Sequence, residues 1–368
     1  MTRETRRLAL LLPDMSGGGA ERVALALMHA FLARGHPVDL VVVNRRGALL
    51  PLVPAGVEIV DLGAATLRHA LVPLVRYLRT RRPHALHAMM WPLTVIAVVA
   101  RLLARVPTRI VLSDHIALSK QYGGSPRTLR ALRWSVRLLY PLAAARVLVS
   151  ADAADDLAAL SGLPRHSIDV IHNPLDLPVQ VARDRSARDW DDDRGPGSAA
   201  RIVTLGSLKP QKNHALLLRA FAMVRAHRPA RLAIVGEGLL RPDLGRLVGE
   251  LGIADDVIFA GFDRDPWPWL ASADVFALSS DYEGLPNVLV EALHAGLPVV
   301  STDCTSGPRE ILDDGIHGHL VPCNDAAALA AAIKDALDQP HDPAAGHARA
   351  KLLSGRTSLD RHLALMLG

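Results

Sequence analysis

Two consecutive doubly wound α/β domains, each Rossmann-like and facing the other across a cleft, are the architecture this sequence predicts. Three observations carry the prediction. Short apolar runs alternate with longer amphipathic stretches along nearly the whole chain, the rhythm of βαβ units around a parallel sheet. The rhythm stops once, in a charged segment bearing Gly and Pro near the middle, and then restarts. At 368 residues the chain exceeds what one hydrophobic core usually serves.

Taken in order, strands are expected over 7–12, 38–43, 84–88, 109–113, 146–150 and 168–171, with helices near 19–34, 66–81, 92–105, 126–140 and 151–161. These make an N-terminal domain over 1–178, one wall of a two-walled site. A linker over 179–200 follows, because its mixed charges show no apolar period. The second domain, 201–353, has strands over 201–205, 231–235, 257–260, 275–278, 298–301 and 319–321. Its helices fall near 213–227, 239–251, 286–295, 307–312 and 325–337, and a C-terminal helix over 354–368 is expected to pack back on the first domain. Ligands of such sheets bind beyond the carboxyl ends of the strands.

Composition removes several classes. Apolar residues are 50% and charged residues 21%, enough for two cores and too apolar for a disordered chain. Cys304 and Cys323 are the two cysteines, too few for a disulfide framework or a cysteine zinc site. The longest nearly uncharged run, 88–100, is too short to span a bilayer, and the first residues lack the pattern of a signal peptide, so a cytoplasmic location is expected. Residues 1–180 hold 22 Lys and Arg against 12 Asp and Glu, whereas the remainder holds 20 against 25. A basic first half suits an anionic surface or ligand, although the Arg-rich, Ala-rich bias of a GC-rich genome would also produce it. Few aromatics and no binding motif argue against nucleic acid.

Three segments could carry chemistry. Gly17, Gly18 and Gly19 lie between the first strand and first helix, where the backbone can approach an anion at a helix N-terminus; a purely structural turn reads the same way. Gly206 to His214 follows the second domain's first strand and holds Lys209 and Lys212, two of the chain's five lysines. An ammonium there reaches a phosphate at the strand ends, unless both are ordinary exposed lysines. Ser279 to Ala292 is the strongest signal. Pro286 suits a first helical turn, Glu283 sits in the loop above it, and Glu291 lies a turn inside among apolar residues. A carboxylate there needs hydrogen bonds, which two ribose hydroxyls would supply, or else a neighbouring loop does while Glu283 caps the helix. The amides around Gly284, Leu285 and Asn287 suit a diphosphate.

Glu283 and Glu291, with seven residues between them and Gly-Leu-Pro-Asn-Val directly after Glu283, resemble the paired-glutamate signature of family 4 retaining glycosyltransferases, which have the GT-B fold. Segments 17–23, 113–115, 170–174, 206–213 and 302–312 resemble the same family in the same order. The resemblance implies transfer of a sugar from a nucleotide-diphosphate donor to a hydroxyl of a glycan or lipid-linked acceptor, with retention. It implies Lys212 on the diphosphate, Glu291 on the ribose, Glu283 with the Gly284–Asn287 amides against sugar and phosphates, Gly17 to Gly19 closing from the other domain, and His115 near the sugar. The family carries Arg where this chain has Ser207, so either Lys209 or Arg309 stands in or leaving-group stabilisation is weaker. No metal and no cofactor is expected, since positive charge and aligned dipoles can neutralise the departing diphosphate and the Asp191 to Asp193 run lies in the linker. Arg127, Arg130, Arg133 and Arg137 share one face of the 126–140 helix, a surface for anionic lipid at the cytoplasmic face of the inner membrane or simply a solvated face. Two other readings fit the same fold: a sugar-nucleotide epimerase, and a non-catalytic subunit that binds a nucleotide sugar.

Overall fold

In the computed structural model, which describes residues 5–190, 199–354 and 356–368, the chain forms two units. One comprises Met1–Asp176 with Gly355–Gly368, the other Leu177–Ser354.

The first unit is built on seven parallel strands: β1 (Leu8–Leu12), β2 (Val38–Val42), β3 (Val57–Asp61), β4 (Ala85–Met89), β5 (Arg109–Asp114), β6 (Ala145–Leu148) and β7 (Asp169–Val170). Their order is β3-β2-β1-β4-β5-β6-β7. Helices α1 (Gly19–Ala33), α2 (Leu71–Arg81), α3 (Leu93–Ala104), α4 (Leu118–Tyr122), α5 (Pro126–Leu139) and α6 (Ala151–Ser161) cover both faces. The unbroken apolar run of β1 is the mark of a strand buried on two sides. Leu8, Leu10 and Leu12 pack with Val23, Leu27 and Phe31 of α1, whereas Ala9 and Leu11 face the core shared by α2, α3, α5 and α6. Strand β3 has no counterpart among the expected strands. It is the sheet edge, half-exposed, and its Val-Glu-Ile-Val-Asp sequence therefore lacks the apolar run that betrays the central strands. The C-terminal helix α14 (Arg356–Leu367) belongs to this unit. Its Met366 is fully buried beside α1, and Arg109 Nε donates to the Leu365 carbonyl at 2.7 Å.

The second unit carries β8 (Ala200–Leu205), β9 (Ala230–Val235), β10 (Val257–Gly261), β11 (Val275–Leu278), β12 (Val299–Thr302) and β13 (His319–Val321), all parallel, in the order β10-β9-β8-β11-β12-β13. Around them lie α7 (His214–Arg225), α8 (Arg241–Glu250), α9 (Trp267–Ser272), α10 (Asn287–His294), α11 (Pro308–Ile311), α12 (Ala326–Asp338) and α13 (Pro343–Leu353).

The expected linker over 179–200 is corrected by the structure. Residues 191–198 lie outside the described residues, Asp191 to Asp193 among them, but the stretch before them is folded onto the second unit. Trp190 is 1% exposed, donates its Nε1 proton to Ser272 Oγ at 2.9 Å and meets Trp269 edge-on at 5.7 Å. Arg183 donates to the Leu270 and Ala273 carbonyls, Arg185 pairs with Asp274, and Arg188 pairs with Asp263. Within the charges that read as a solvated tether, Arg185 and Arg188 are ion-pair partners of the aspartates on either side of α9. Trp190→Ala is accordingly expected to destabilise the second unit by about 3–5 kcal/mol. Urea denaturation reads this, and a loss below about 1 kcal/mol would return the segment to a tether.

Candidate active site

In each sheet the strand order reverses between its first strand and the strand that follows the third crossover, β1 beside β4 and β8 beside β11. Ligands of open parallel sheets bind at this reversal, beyond the carboxyl ends. In the second unit the loops leaving β8, β11 and β12 meet there and are laced together. Ser279 Oγ donates to the Lys212 carbonyl at 2.9 Å, the Asp281 amide to the Gln211 carbonyl at 2.9 Å, and Asn213 Nδ2 to Asp281 Oδ1 at 2.8 Å. Thr302 Oγ1 donates to the Ser280 carbonyl at 2.6 Å, and Ser306 Oγ to the Gly284 carbonyl at 2.8 Å. Gly307, at φ +98°, lets its loop press on the next: a Cβ there would lie 2.5 Å from Pro286 Cδ and 2.7 Å from the Gly284 carbonyl oxygen.

At the centre Lys212 Nζ lies 2.6 Å from Glu283 Oε1, with the two side chains only 14% and 7% exposed. The same Oε1 accepts from Ser280 Oγ at 2.6 Å, and Oε2 accepts from Gln211 Nε2 at 3.2 Å. Glu283 is thus held by three donors and does not cap α10, so the alternative reading of it as a helix cap falls. The lysine stem runs over Gly206, whose added Cβ would meet Lys212 Cε at 3.4 Å, so the glycine keeps the ammonium low over the strand end. His214, behind it, is lowered to about 4 by burial first and the Lys212 charge second.

Immediately downstream, Gly284, Leu285 and Pro286 are buried, Pro286 takes the N-cap position, and α10 opens at Asn287. Glu291, 8% exposed, follows one turn inside the same helix. Ser207 and Lys209 are exposed on the neighbouring loop after β8. Arg309, a candidate stand-in for the family arginine, is committed elsewhere: it pairs with Asp303 and, at 3.1 Å, with Asp314. Sequence reasoning misses Gln211 and Ser280 as holders of Glu283. Gln211 offers one signal, an amide adjoining the key lysine, and the structure buries it.

In the first unit, the loop after β1 turns on Asp14, whose Oδ1 accepts from the Ser16 amide and hydroxyl at 3.1 and 2.6 Å. Gly17 has φ +114°, and Gly18 is the N-cap of α1 with no side-chain cap. Glu21, 8% exposed, sits in the first turn, where a Cβ on Gly18 would collide with its Oε2 at 2.5 Å. At the end of β5, Asp114 is buried, accepting from the Trp91 amide at 2.8 Å and from the Tyr140 hydroxyl at 2.5 Å. Burial raises its carboxyl to about 6 against the pull of those two donors. His115 follows, half-buried as a residue but with its Nδ1 sealed from solvent and without a hydrogen-bond partner. Burial lowers it to about 4, with Asn173 working in the opposite direction. Among the described residues no three His, Cys, Asp or Glu side chains cluster so as to hold a metal ion.

Two family models match in tandem, one within each unit: "Glycosyl transferase 4-like domain" over 18–174 and "Glycosyl transferases group 1" over 199–339. A Campylobacter jejuni enzyme, N-acetylgalactosamine-N,N'-diacetylbacillosaminyl-diphospho-undecaprenol 4-alpha-N-acetylgalactosaminyltransferase, is 30% identical over 246 residues, which are 66% of this chain and 64% of that one. The match therefore spans slightly under two thirds of that relative's length. The amylovoran biosynthesis glycosyltransferase AmsD of Erwinia amylovora is 26% identical over 84% of each chain. In fold, the chain resembles the crystal structure of Anabaena HepE in complex with UDP-glucose, with a TM-score of 0.82 at 19% identity over 98% of this chain and 99% of that one.

Proposed function

The chain belongs to the family 4 glycosyltransferases of GT-B fold, and from that premise we propose that it moves a sugar from a nucleotide-diphosphate donor, of the UDP-sugar class, to a hydroxyl of a bacterial glycan, polysaccharide or lipopolysaccharide acceptor, retaining the anomeric configuration. The observation that carries this reading is the Lys212–Glu283 pair at the β8/β11 reversal, set at the approach to the N-terminus of α10. Departure of a nucleoside diphosphate leaves two phosphates of growing negative charge. An ammonium held low over the strand end, together with the positive end of α10, meets that charge without reorganising. In the resting site Glu283 holds the ammonium in position. When the diphosphate arrives it competes for the same cation, which leaves Glu283, anchored by Ser280 and Gln211, facing the transferred sugar. Attack proceeds on the face from which the diphosphate departs, a phosphate oxygen taking the acceptor proton. No protein nucleophile and no divalent metal enter this scheme.

Donor recognition rests on Glu291, whose carboxylate accepts from two ribose hydroxyls. Wild-type protein warmed with a UDP-sugar at 100 times its dissociation constant should gain about 2.7 kcal/mol. Glu291→Ala should lose nearly all of that gain, read as the difference between its own liganded and unliganded melting temperatures. An undiminished shift in the variant would refute the site. The relatives named above transfer sugars, and their names favour transfer over epimerisation.

The acceptor side faces a membrane. Helix α5 buries Leu132 and Val136 and exposes Arg127, Arg130, Arg133 and Arg137. Between them stand Trp134 and Leu138, both 61% exposed, with Leu142 nearby at 46%. Aromatic and aliphatic side chains set among cations are what an anionic headgroup layer receives; a merely solvated face has no use for them. No described helix is long and apolar enough to cross a membrane. The contact in this reading is peripheral, at the cytoplasmic face of the inner membrane. Cosedimentation with phosphatidylglycerol vesicles should fall at least tenfold in Arg130→Glu/Arg133→Glu/Arg137→Glu, in line with about 1 kcal/mol per basic residue. Equal binding to zwitterionic vesicles would defeat this account.

A further inference from the structure

The C-terminal helix does more than close a core. Its His362, 3% exposed, places its ring 5.4 Å from that of His87, tilted by 32°. His87 is fully buried on β4, and its Nε2 lies 2.9 Å from Ser113 Oγ on the adjacent β5. The same hydroxyl lies 3.3 Å from Nε2 of His115. A path of contacts therefore runs His362, His87, Ser113, His115, and it ends at the imidazole that the family resemblance implies lies near the sugar. The Nδ1 atoms of all three rings are buried with no hydrogen-bond partner.

The chemistry of the bridge is restrictive. A serine hydroxyl has one proton, so Ser113 can donate to one imidazole nitrogen only and must accept from the other. The tautomers of His87 and His115 are thereby opposed. If Ser113 donates to His115 Nε2, the His115 proton sits on Nδ1; if it accepts from Nε2–H, Nδ1 presents a lone pair. Ser113 therefore sets which nitrogen of His115 carries the proton. We infer that His362 and His87 are positioning residues that, through Ser113, fix the tautomer and ring orientation of His115. The packing supports this: burial lowers His362 to about 3 and His115 to about 4, so all the rings stay neutral and none can carry both protons. His362 contributes by filling the space against His87, which keeps that ring from turning and keeps water from replacing Ser113.

The inference rests on the proposed role of His115 and is tested apart from it. In full-length protein labelled with ¹⁵N-histidine, the His115 ring resonances, assigned through His115→Gln, report the tautomer directly. His362→Ala, which opens the space against His87, and Ser113→Ala should both shift them from a single tautomer toward a mixture, whereas His362→Phe, which keeps a ring in place, and Ser113→Thr should leave a single tautomer. In transfer assays kcat should fall at least about tenfold in the first two variants, since a misplaced group can cost about 10²-fold, while KM for the donor stays within twofold. Unchanged His115 resonances in both variants overturn the inference, and so does a fall in kcat that leaves the resonances unmoved. A wild-type protein that binds donor but transfers to no acceptor would instead defeat the functional reading, and the ring resonances would still decide the positioning.

Discussion

Lys212→Ala should lower kcat by about 10²–10³, the usual cost of deleting one preorganised group that meets developing charge. It should also lower stability, because Glu283 keeps Ser280 and Gln211 but loses the cation that offsets its burial. Breaking a buried pair from one side costs about 3–5 kcal/mol. The two effects separate in Lys212→Ala/Glu283→Gln, where an uncharged amide no longer needs the ammonium. Much of the stability should return while kcat stays low. Transfer rates at saturating donor together with urea midpoints read both. A single variant within twofold of wild-type kcat would remove Lys212 from the chemistry.

Acid should unfold the protein early. His87, His115, His214 and His362 are all held below the ordinary histidine value, burial being the largest cause in each. The unfolded chain takes up protons near pH 6.5 that the folded one refuses until about 4 or 3. Stability from these groups is therefore complete above pH 6.5 and drains away as pH falls toward those values. Asp114 works the other way: raised to about 6, it favours the folded state in acid and disfavours it once ionised. One carboxyl does not outweigh four imidazoles, since a tenfold change in proton affinity is worth about 1.4 kcal/mol on either kind of group. Urea midpoints at pH 7.5, 6 and 5 should decline steadily, with proton uptake on unfolding. A flat profile across that range would mean the rings are reached by water.

Legibility in the sequence follows burial. Central strands such as β1 and β8, apolar on both faces, are visible as runs, and so are the amphipathic helices between them. Edge strand β3 is not, because Glu58 and Asp61 on this half-exposed strand interrupt its apolar run. The segment at 183–190 misleads for a related reason: charges that pair across a fold look the same in sequence as charges that face water. At the candidate site, the glycines, Glu283 and Glu291 stand out because they break local rules. The meeting of Lys212 with Glu283 does not, since 71 residues separate them and only the adjacency of β8 and β11 brings them together. His362 carries no signal at all. A histidine on a C-terminal helix acquires meaning only from the strands beneath it.

The assignment of Gly355–Gly368 to the same unit as Met1–Asp176 bears on how the protein is made. During synthesis the first half leaves the ribosome without the helix that seats Met366 against α1, and the second half is complete before that helix exists. The earlier-made domain is thus finished only after the later one, and a nascent chain must carry it with one apolar flank uncovered until that helix is made. Loss of that helix would therefore damage the first unit rather than the second.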